Sequence, residues 1–173
     1  MDALDLVEVT KRVLGSRPSE SAPVHWQIPE EPLWVRGDED LLTRMLRNLI
    51  NNAERHAVSR VDVEICGDVD QAWVRAINDG AVIGEDDRER IFEPFTRLDS
   101  ARTSDAGGAG LGLTISRRIA HKHGGDLRAD HRTEGASFTL WLPATHPPDD
   151  EVRASGTAPP RRASDVASAQ RQR

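Results

Sequence analysis

The order of patterned segments along these 173 residues predicts an α/β two-layer sandwich, with a mixed, mostly antiparallel sheet packed on one side by about three helices. Three observations carry that prediction. Apolar residues recur at helical spacing in three separate stretches, runs of alternating or β-branched character lie between and after them, and most of those runs are linked by short turns, as antiparallel neighbours are.

Between Asp5 and Leu14, the side chains of Leu6, Val9, Val13 and Leu14 share one face at helical spacing, and Gly15 with Pro18 stops the pattern. This is a short leading helix inside a linker covering residues 1–18. VHWQI (24–28) and LWVRG (33–37) are rich in β-branched and aromatic residues and are parted by the two prolines of PEEP, so they read as two strands. Asp38 can cap a long helix, in which Leu41, Leu42, Met45, Leu46, Leu49 and Ile50 recur at intervals of three and four up to about Ala57. Val61, Val63 and Ile65 alternate with Asp62 and Glu64, and after a turn at residues 67–70 come Trp73, Val74 and Ile77, which makes a hairpin with one buried face. From Asn78 to about Ala109 the chain is dominated by Gly, Asp, Arg and Ser around the apolar knot IFEPF, a long loop with room for one helical turn. Loops of that length usually have a task. Leu111 to His123 regains helical spacing, Gly124 and Gly125 stop it, and LRADH and SFTLWLP form two closing strands that end at Pro143. The folded domain is expected over residues 19–143. Residues 144–173 hold scarcely any large apolar side chain and are expected to be a disordered tail.

Composition excludes several classes of function. With 37% hydrophobic and 30% charged residues the chain suits one domain with a real core, and its formal net charge of −6 argues against a nucleic-acid or anionic-membrane binder. The single cysteine, Cys66, sits in an alternating stretch, so neither a disulfide framework nor a thiolate metal site is expected. No apolar run approaches the length of a membrane span, and the acidic start MDALDLVEV lacks the features of a signal peptide, so a cytoplasmic segment without membrane contact of its own is expected.

Four stretches carry candidate chemistry. In NLINNAERHA, Asn48 and Asn52 lie four apart on the long helix and point the same way, with Arg55 and His56 a turn further on. Asparagine is a poor helix former, and two amide oxygens beside cations can ligate Mg²⁺ while the cations meet phosphate. Asn51 alone reads as the wet side of the helix. NDGAVIG (78–84) follows a strand and can hold the edge of a base, although Asn-Asp-Gly is also an ordinary turn. In ERIFEPFTRLD, Phe92 is read as pinning the loop to the core, and Arg97 as a solvated charge that takes a phosphate role only in context. GGAGLGLTIS opens the last helix, and glycines at 108, 110 and 112 let the backbone approach phosphate where the helix points its positive dipole end and free N–H groups. The segment does not follow a strand, and no Gly-Lys-Ser/Thr occurs, so dinucleotide-binding and Walker-type folds are disfavoured.

In this order the stretches resemble the catalytic ATP-binding domain of bacterial sensor histidine kinases, built on the Bergerat fold, over about Leu4 to Pro143. NLINNAERHA is similar to the family's asparagine box, NDGAVIG to its first glycine box, IFEPF to its phenylalanine box, GGAGLGL to its second glycine box and EGASFTLWLP to its closing strand. The resemblance implies that Asn52, assisted by Asn48, holds Mg²⁺ against the triphosphate, with Arg55 and His56 beside phosphate oxygens. It implies a mobile lid from about Thr96 to Ala109, with Arg97 approaching the γ-phosphate and Gly108, Gly110 and Gly112 framing the phosphates. Asn78, Asp79, Gly80, Ile83, Phe95, Leu111, Leu113 and Ser137 complete the implied ATP site. The cofactors are then ATP and Mg²⁺. The partners are a histidine-bearing dimerisation domain and a response regulator, and the parent kinase can be membrane-bound.

Two departures from the family pattern carry expectations of their own. Asn78 stands where the family usually has an aspartate for the adenine amino group, which keeps a carbonyl acceptor but loses its charge, so adenine binding should weaken. Val82 replaces the second glycine of the same box, and positive φ would strain a β-branched residue, so that loop should be reshaped or strained. No histidine sits in a sequence like the family's phosphoacceptor helix. His25, His121, His123, His131 and His146 read as structural or solvated, and the acceptor must come from another segment or chain. The expected function is transfer of the ATP γ-phosphoryl group to that histidine. The alternatives are a degenerate, nucleotide-poor binding module, motivated by Asn78 and Val82, and an anti-sigma-factor serine kinase of the same fold.

Overall fold

The computed structural model describes residues 1–17, 23–96 and 110–148. In chain order these form β1 (Asp2–Asp5), α1 (Leu6–Gly15), β2 (Val24–Gln27), β3 (Trp34–Gly37), α2 (Glu39–His56), β4 (Val61–Gly67), β5 (Gln71–Asn78), α3 (Asp87–Arg90), α4 (Gly112–Lys122), β6 (Asp126–Ala129) and β7 (Ala136–Pro143). The main sheet has the order β2-β4-β5-β7-β6, with β2 parallel to β4 and the other neighbours antiparallel. This is the mixed, mostly antiparallel sheet of a two-layer α/β sandwich, with three helices of ten residues or more and the single turn of α3 in the long loop.

Why α2 forms where it does is visible in its cap and its stripe. The Asp38 carboxylate accepts from the Leu41 N–H at 3.1 Å, which meets one of the helix's orphan donors. Leu42, Met45, Leu46, Leu49, Ile50 and Ala53 then bury one face completely. That face lies on the inner side of the sheet, against Val61, Val63 and Ile65 of β4, Ala72, Val74 and Ala76 of β5, and Leu127, Phe138, Leu140 and Leu142 of β6 and β7, in one continuous core. Each large apolar side chain so buried contributes roughly 1.5–3 kcal/mol. Helix α4 packs beside α2, where the Ser116 hydroxyl donates to the Met45 carbonyl at 3.3 Å, and α1 also packs against α2.

The strand β1, which sequence patterning does not signal, pairs antiparallel with β3 in a separate two-stranded sheet. Asp5 joins the two: one carboxylate oxygen caps α1 through Val7 N–H at 2.9 Å and also accepts from Leu33 N–H at 3.1 Å. Where α1 ends, the Arg17 guanidinium meets the Glu54 carboxylate of α2, a pair largely shielded from water. Beyond β7, Ala144 bridges to Val35 and Thr145 N–H reaches Trp34 O at 2.8 Å, so the chain stays attached for at least two residues past Pro143. Residues 149–173 of the expected tail lie outside the described residues.

Candidate functional site

Three elements converge on the C-terminal half of α2. The end of β5 arrives first. Asn78, its last residue, is only 2% exposed, and its side-chain N–H donates to His56 O at 3.1 Å. Asp79 follows, and its carboxylate accepts from Val58 N–H (2.8 Å), Ser59 N–H (3.0 Å), Ser59 O–H (2.6 Å) and Arg60 N–H (3.1 Å). Those donors, the Ser59 hydroxyl and amide foremost, hold the Asp79 carboxyl well below the usual carboxylate range despite its exposure. Gly80 completes the turn, and nothing larger fits there, because a Cβ would lie 1.8 Å from His56 O. The turn is thus clamped to the connection between α2 and β4.

The amino end of α4 arrives second. Asn48 reaches Gly112 O through its side-chain N–H at 3.5 Å, the outer limit of a hydrogen bond, and a Cβ on Gly112 would only just touch the Asn48 side chain at 4.0 Å. Asn52, half-buried, lies one turn along from Asn48, His56 is half-buried and Arg55 is exposed. Leu111 occupies the cap position of α4 without any side-chain cap bond, so the first N–H groups of this helix point outward uncapped at its positive end.

The neck of the long loop is third. Phe95 N–H donates to Gly110 O at 3.2 Å, and both residues have positive φ, 64° and 68°. For Phe95 that conformation is rare, and its ring is 72% exposed. Phe92, by contrast, is buried, with the Arg117 guanidinium 4.6 Å from its ring centroid, which is the loop-pinning role its sequence suggests. Ile83 is buried in the core, while Leu111 and Leu113 are half-buried. Arg97 and Gly108 lie outside the described residues, as does the lid from 97 to 109.

Some expected site residues are placed elsewhere. Ser137 pairs with Ile77, while its neighbours Ala136 and Phe138 take the inner face, and its hydroxyl donates to Asp130 at 2.5 Å. Strand alternation therefore puts its side chain on the outer face, away from α2. Asp79 also differs from the role expected of it, since its oxygens are spent on residues 58–60. Val82 does not adopt positive φ and its side chain is 47% exposed, so of the two outcomes expected for this loop, reshaped or strained, the strained one is not present. Three of the histidines are tied into the protein: His123 is buried between Ile119 O (2.7 Å) and Asp38 N–H (3.1 Å), His121 contacts Asp126 at 2.8 Å and His131 contacts Arg88 at 2.8 Å.

One hub was not singled out from sequence. Asp126 is nearly buried, and its carboxylate accepts from Arg117 (3.1 Å), His121 (2.8 Å), Arg128 (2.9 Å) and Leu127 N–H (2.8 Å). Burial opposes its ionisation, and the Arg128, His121 and Arg117 donors outweigh that, so its carboxyl also sits well below the usual range. Arg117 passes on to Glu89 at 2.7 Å, which ties α3 and the phenylalanine knot to α4 and β6. A charged residue on a short strand gives no periodic signal, which is why the hub escapes sequence reasoning.

The cluster fits a nucleotide. The side-chain oxygen of Asn78 is buried and has no hydrogen-bond partner, an acceptor left waiting at the end of β5. The uncapped start of α4 suits an anion. Among the described residues no group of three or more His, Cys, Asp or Glu side chains could hold a metal. A cleft of about 570 Å³ lies between α1 and β2, lined by Leu14, Trp26, Ile28 and Pro29, and contains none of these groups.

Comparison with known proteins agrees. Residues 37–146 match the family model described as histidine kinase-, DNA gyrase B- and HSP90-like ATPase. The chain is 33% identical over 129 residues to the sensor histidine kinase WalK of Bacillus subtilis, covering 72% of this chain and 21% of WalK. It is 40% identical over 118 residues to the sensor protein VanS of Enterococcus faecium, covering 66% of this chain and 30% of VanS. It therefore spans less than a third of either relative. Among solved structures, the mycobacterial sensor histidine kinase MprB superposes with a TM-score of 0.73 at 30% identity, covering 83% of this chain and 98% of that one. With the motifs, the sandwich and the convergence on α2 in agreement, the chain belongs to the histidine kinase-, DNA gyrase B- and HSP90-like ATPase family, as an ATP-binding catalytic domain of the sensor histidine kinase type.

Proposed function

We propose that this domain binds ATP together with Mg²⁺ and delivers the γ-phosphoryl group to a histidine on a separate dimerisation domain, from which a response regulator takes it. The observation that carries the reading is the unpartnered, buried oxygen of Asn78, set beside the helix that bears Asn48 and Asn52. In this reading Asn78 accepts from the adenine amino group, over a floor that includes Ile83 and Gly80. Asn52, with Asn48, supplies amide oxygens to the metal, whose charge would draw the phosphate oxygens into register. Arg55 and His56 offer cationic or N–H groups on the same helix, and Gly110 to Leu113 bring the α4 N–H groups to the anion. Phe95, Arg97 and Gly108 belong to the lid and its neck, with Arg97 neutralising the γ-phosphate. Residues 1–18 act as the linker, 19–143 as the catalytic domain and 144–173 as a tail.

Little covalent chemistry is asked of these side chains. The bond between the γ-phosphorus and its bridging oxygen breaks, a bond to the acceptor imidazole nitrogen forms, ADP leaves, and the imidazole loses its proton to solvent. Positioning and charge neutralisation supply the rate. The test combines this chain with dimeric helical-hairpin domains carrying a candidate histidine and γ-labelled ATP. Label on that histidine is expected. Measurable ATP binding with no labelled histidine across several cognate hairpins would overturn the transfer, and label on a serine would redirect it to the anti-sigma branch.

A further inference from the structure

We infer that Arg117 is a positioning residue for the nucleotide: without touching the ligand, it braces the two stretches of chain that meet at Phe95 and Gly110, and so fixes where the first turn of α4 points. The inference rests on the ATP reading above and adds to it a residue that acts from outside the site.

The brace closes a ring. One arm runs from α3 to Phe95 through consecutive backbone turns: Ile91 N–H donates to Asp87 O (3.0 Å), Phe92 N–H to Glu89 O (3.1 Å), Glu93 N–H to Arg90 O (2.9 Å) and Thr96 N–H to Glu93 O (3.3 Å). The other arm runs from Gly110 into α4, where Ile115 N–H donates to Leu111 O at 2.9 Å. The arms meet at one end through Phe95 N–H on Gly110 O, and at the other through Arg117, which donates to Glu89 at 2.7 Å with its guanidinium 4.6 Å from the Phe92 ring centroid. Arg117 is itself anchored: its Nε donates to Asp126 at 3.1 Å, and Asp126 is held in β6 by Leu127 N–H, His121 and Arg128. Thr114, one turn earlier on the same face of α4, is buried with its hydroxyl unpartnered and supplies no tie of its own.

The Phe95 end needs such a brace. A non-glycine residue at φ 64° persists only where its surroundings over-determine it, and with its ring 72% exposed Phe95 gains little restraint from its own burial. Phe92, buried three residues before it, is the fixed point of this arm, and Arg117 lies over it. Without the brace α3 and Phe95 shift together, and Gly110 and the uncapped N–H groups of α4 move out of line with Asn48, which reaches Gly112 O. Arginine suits the task, because its planar fork serves Asp126 and Glu89 at once while its face lies on an aromatic ring, which a point-like ammonium cannot do.

The experiment compares the whole chain with R117A, R117K and E89Q, by amide hydrogen exchange read by NMR without nucleotide and by calorimetry with Mg·ATP. Glu89 is 75% exposed, so E89Q removes one arm of the brace with little change in melting temperature. Relative to amides in the middle of α2, which report global unfolding, the Phe95 N–H is expected to exchange ~10-fold faster in R117A and ~3-fold faster in E89Q. Affinity for Mg·ATP should fall ~5-fold or more in R117A and ~2-fold in E89Q, as a smaller fraction of molecules holds the binding arrangement. R117K, which keeps the charge and loses the fork, should stay closer to R117A than to wild type. Phe95 exchange that merely tracks α2 in both R117A and E89Q would reduce Arg117 to a stabilising contact and overturn the inference. Full rescue by R117K, or wild-type ATP affinity in R117A despite a faster Phe95, would overturn it too, and each of these results leaves the ATP reading standing. If wild type bound no Mg·ATP, both would fall. Should R117A fail to fold, E89Q still decides.

Discussion

The two ends of the candidate site are built in opposite ways. At the base end, where β5 meets the end of α2, nearly every polar atom is committed: Asp79 takes four N–H and O–H groups, Asn78 spends its NH₂ on His56 O, and Gly80 leaves no room for a Cβ. At the phosphate end, Asn48 makes one contact at 3.5 Å, α4 starts uncapped and Phe95 stands exposed at the neck of the loop. A flat, largely neutral base needs a rigid edge to be read, and one oxygen left over suffices. A triphosphate brings several charges and a metal, so groups already spent on the protein would have to be released before they could help. The contrast makes each end breakable in its own way: changes at the base end should cost stability as well as binding, and changes at the phosphate end should cost turnover with little loss of stability.

The largest effect is expected from Asn52→Ala. Its side chain is half-buried and has no described role in the core, so stability should change by less than about 0.5 kcal/mol, the usual range for such sites. Histidine labelling in trans should fall on the order of 100-fold or more, about 3 kcal/mol at the barrier. Rates from labelled-ATP assays beside a urea melt test the split, and an unaltered rate would remove Asn52 from the metal site. Gly80→Ala comes next and should behave in the opposite manner. Its Cβ, 1.8 Å from His56 O, forces the backbone apart, for a loss of about 2–3 kcal/mol in unfolding free energy and weaker ATP binding together.

Asp126→Asn tests a third region that neither end includes. The carboxylate is 12% exposed and surrounded by Arg117, Arg128 and His121, so removing its charge leaves donors facing a neutral group. A loss of about 2 kcal/mol in a denaturant melt is expected, the partners' exposure holding it below the range for a fully buried pair. Because Arg117 also holds Glu89 and lies over Phe92, the loosening should reach the loop that leads to the lid.

How much of this was readable beforehand differs between fold and site for a physical reason. The helix α2, its Asp38 cap, the β4–β5 hairpin and the helix at α4 were legible because periodicity and capping are local signals. The strand β1 was not, since four residues of DALD have no alternation and become a strand only by pairing with β3. Nor was the parallel contact of β2 with β4, which depends on chain brought back over more than thirty residues. In the site, the asparagines of α2 and the glycines before α4 were legible as motifs. The division of labour between Asn78 and Asp79 was not, because it depends on the carbonyl at His56 and the amides at 58–60. Ser137 is the instructive miss: Phe138, Leu140 and Leu142 already alternate as an inner face, and that alternation assigns Ser137 to the outer one.

Gly110→Ala should cost about 1 kcal/mol, since Gly110 sits at φ 68° and a Cβ there would meet the backbone of Phe95 at 3.0 Å. Falling at the phosphate end, it should weaken ATP binding less than Gly80→Ala does. Equal effects on stability from the two glycines would erase the contrast between the ends.

Asp79→Asn has the smallest expected effect and the most specific signature. The carboxylate is exposed to solvent, which screens its contribution, and an amide oxygen can keep part of the clamp. What separates the two side chains is charge. Asp79 has its folded-state value lowered by the Ser59 hydroxyl and by the N–H groups of residues 58–60, so its stabilisation is fully present above the unfolded value near ~3.9 and is lost as pH falls through the folded value. The advantage of wild type over Asp79→Asn should therefore hold steady from about pH 7 to about pH 5 and shrink below about pH 4, read from urea midpoints at each pH. A gap that widened in acid would mean that Asp79 folds protonated, and the base end would then lack the ionised clamp that frees Asn78 to face the ligand.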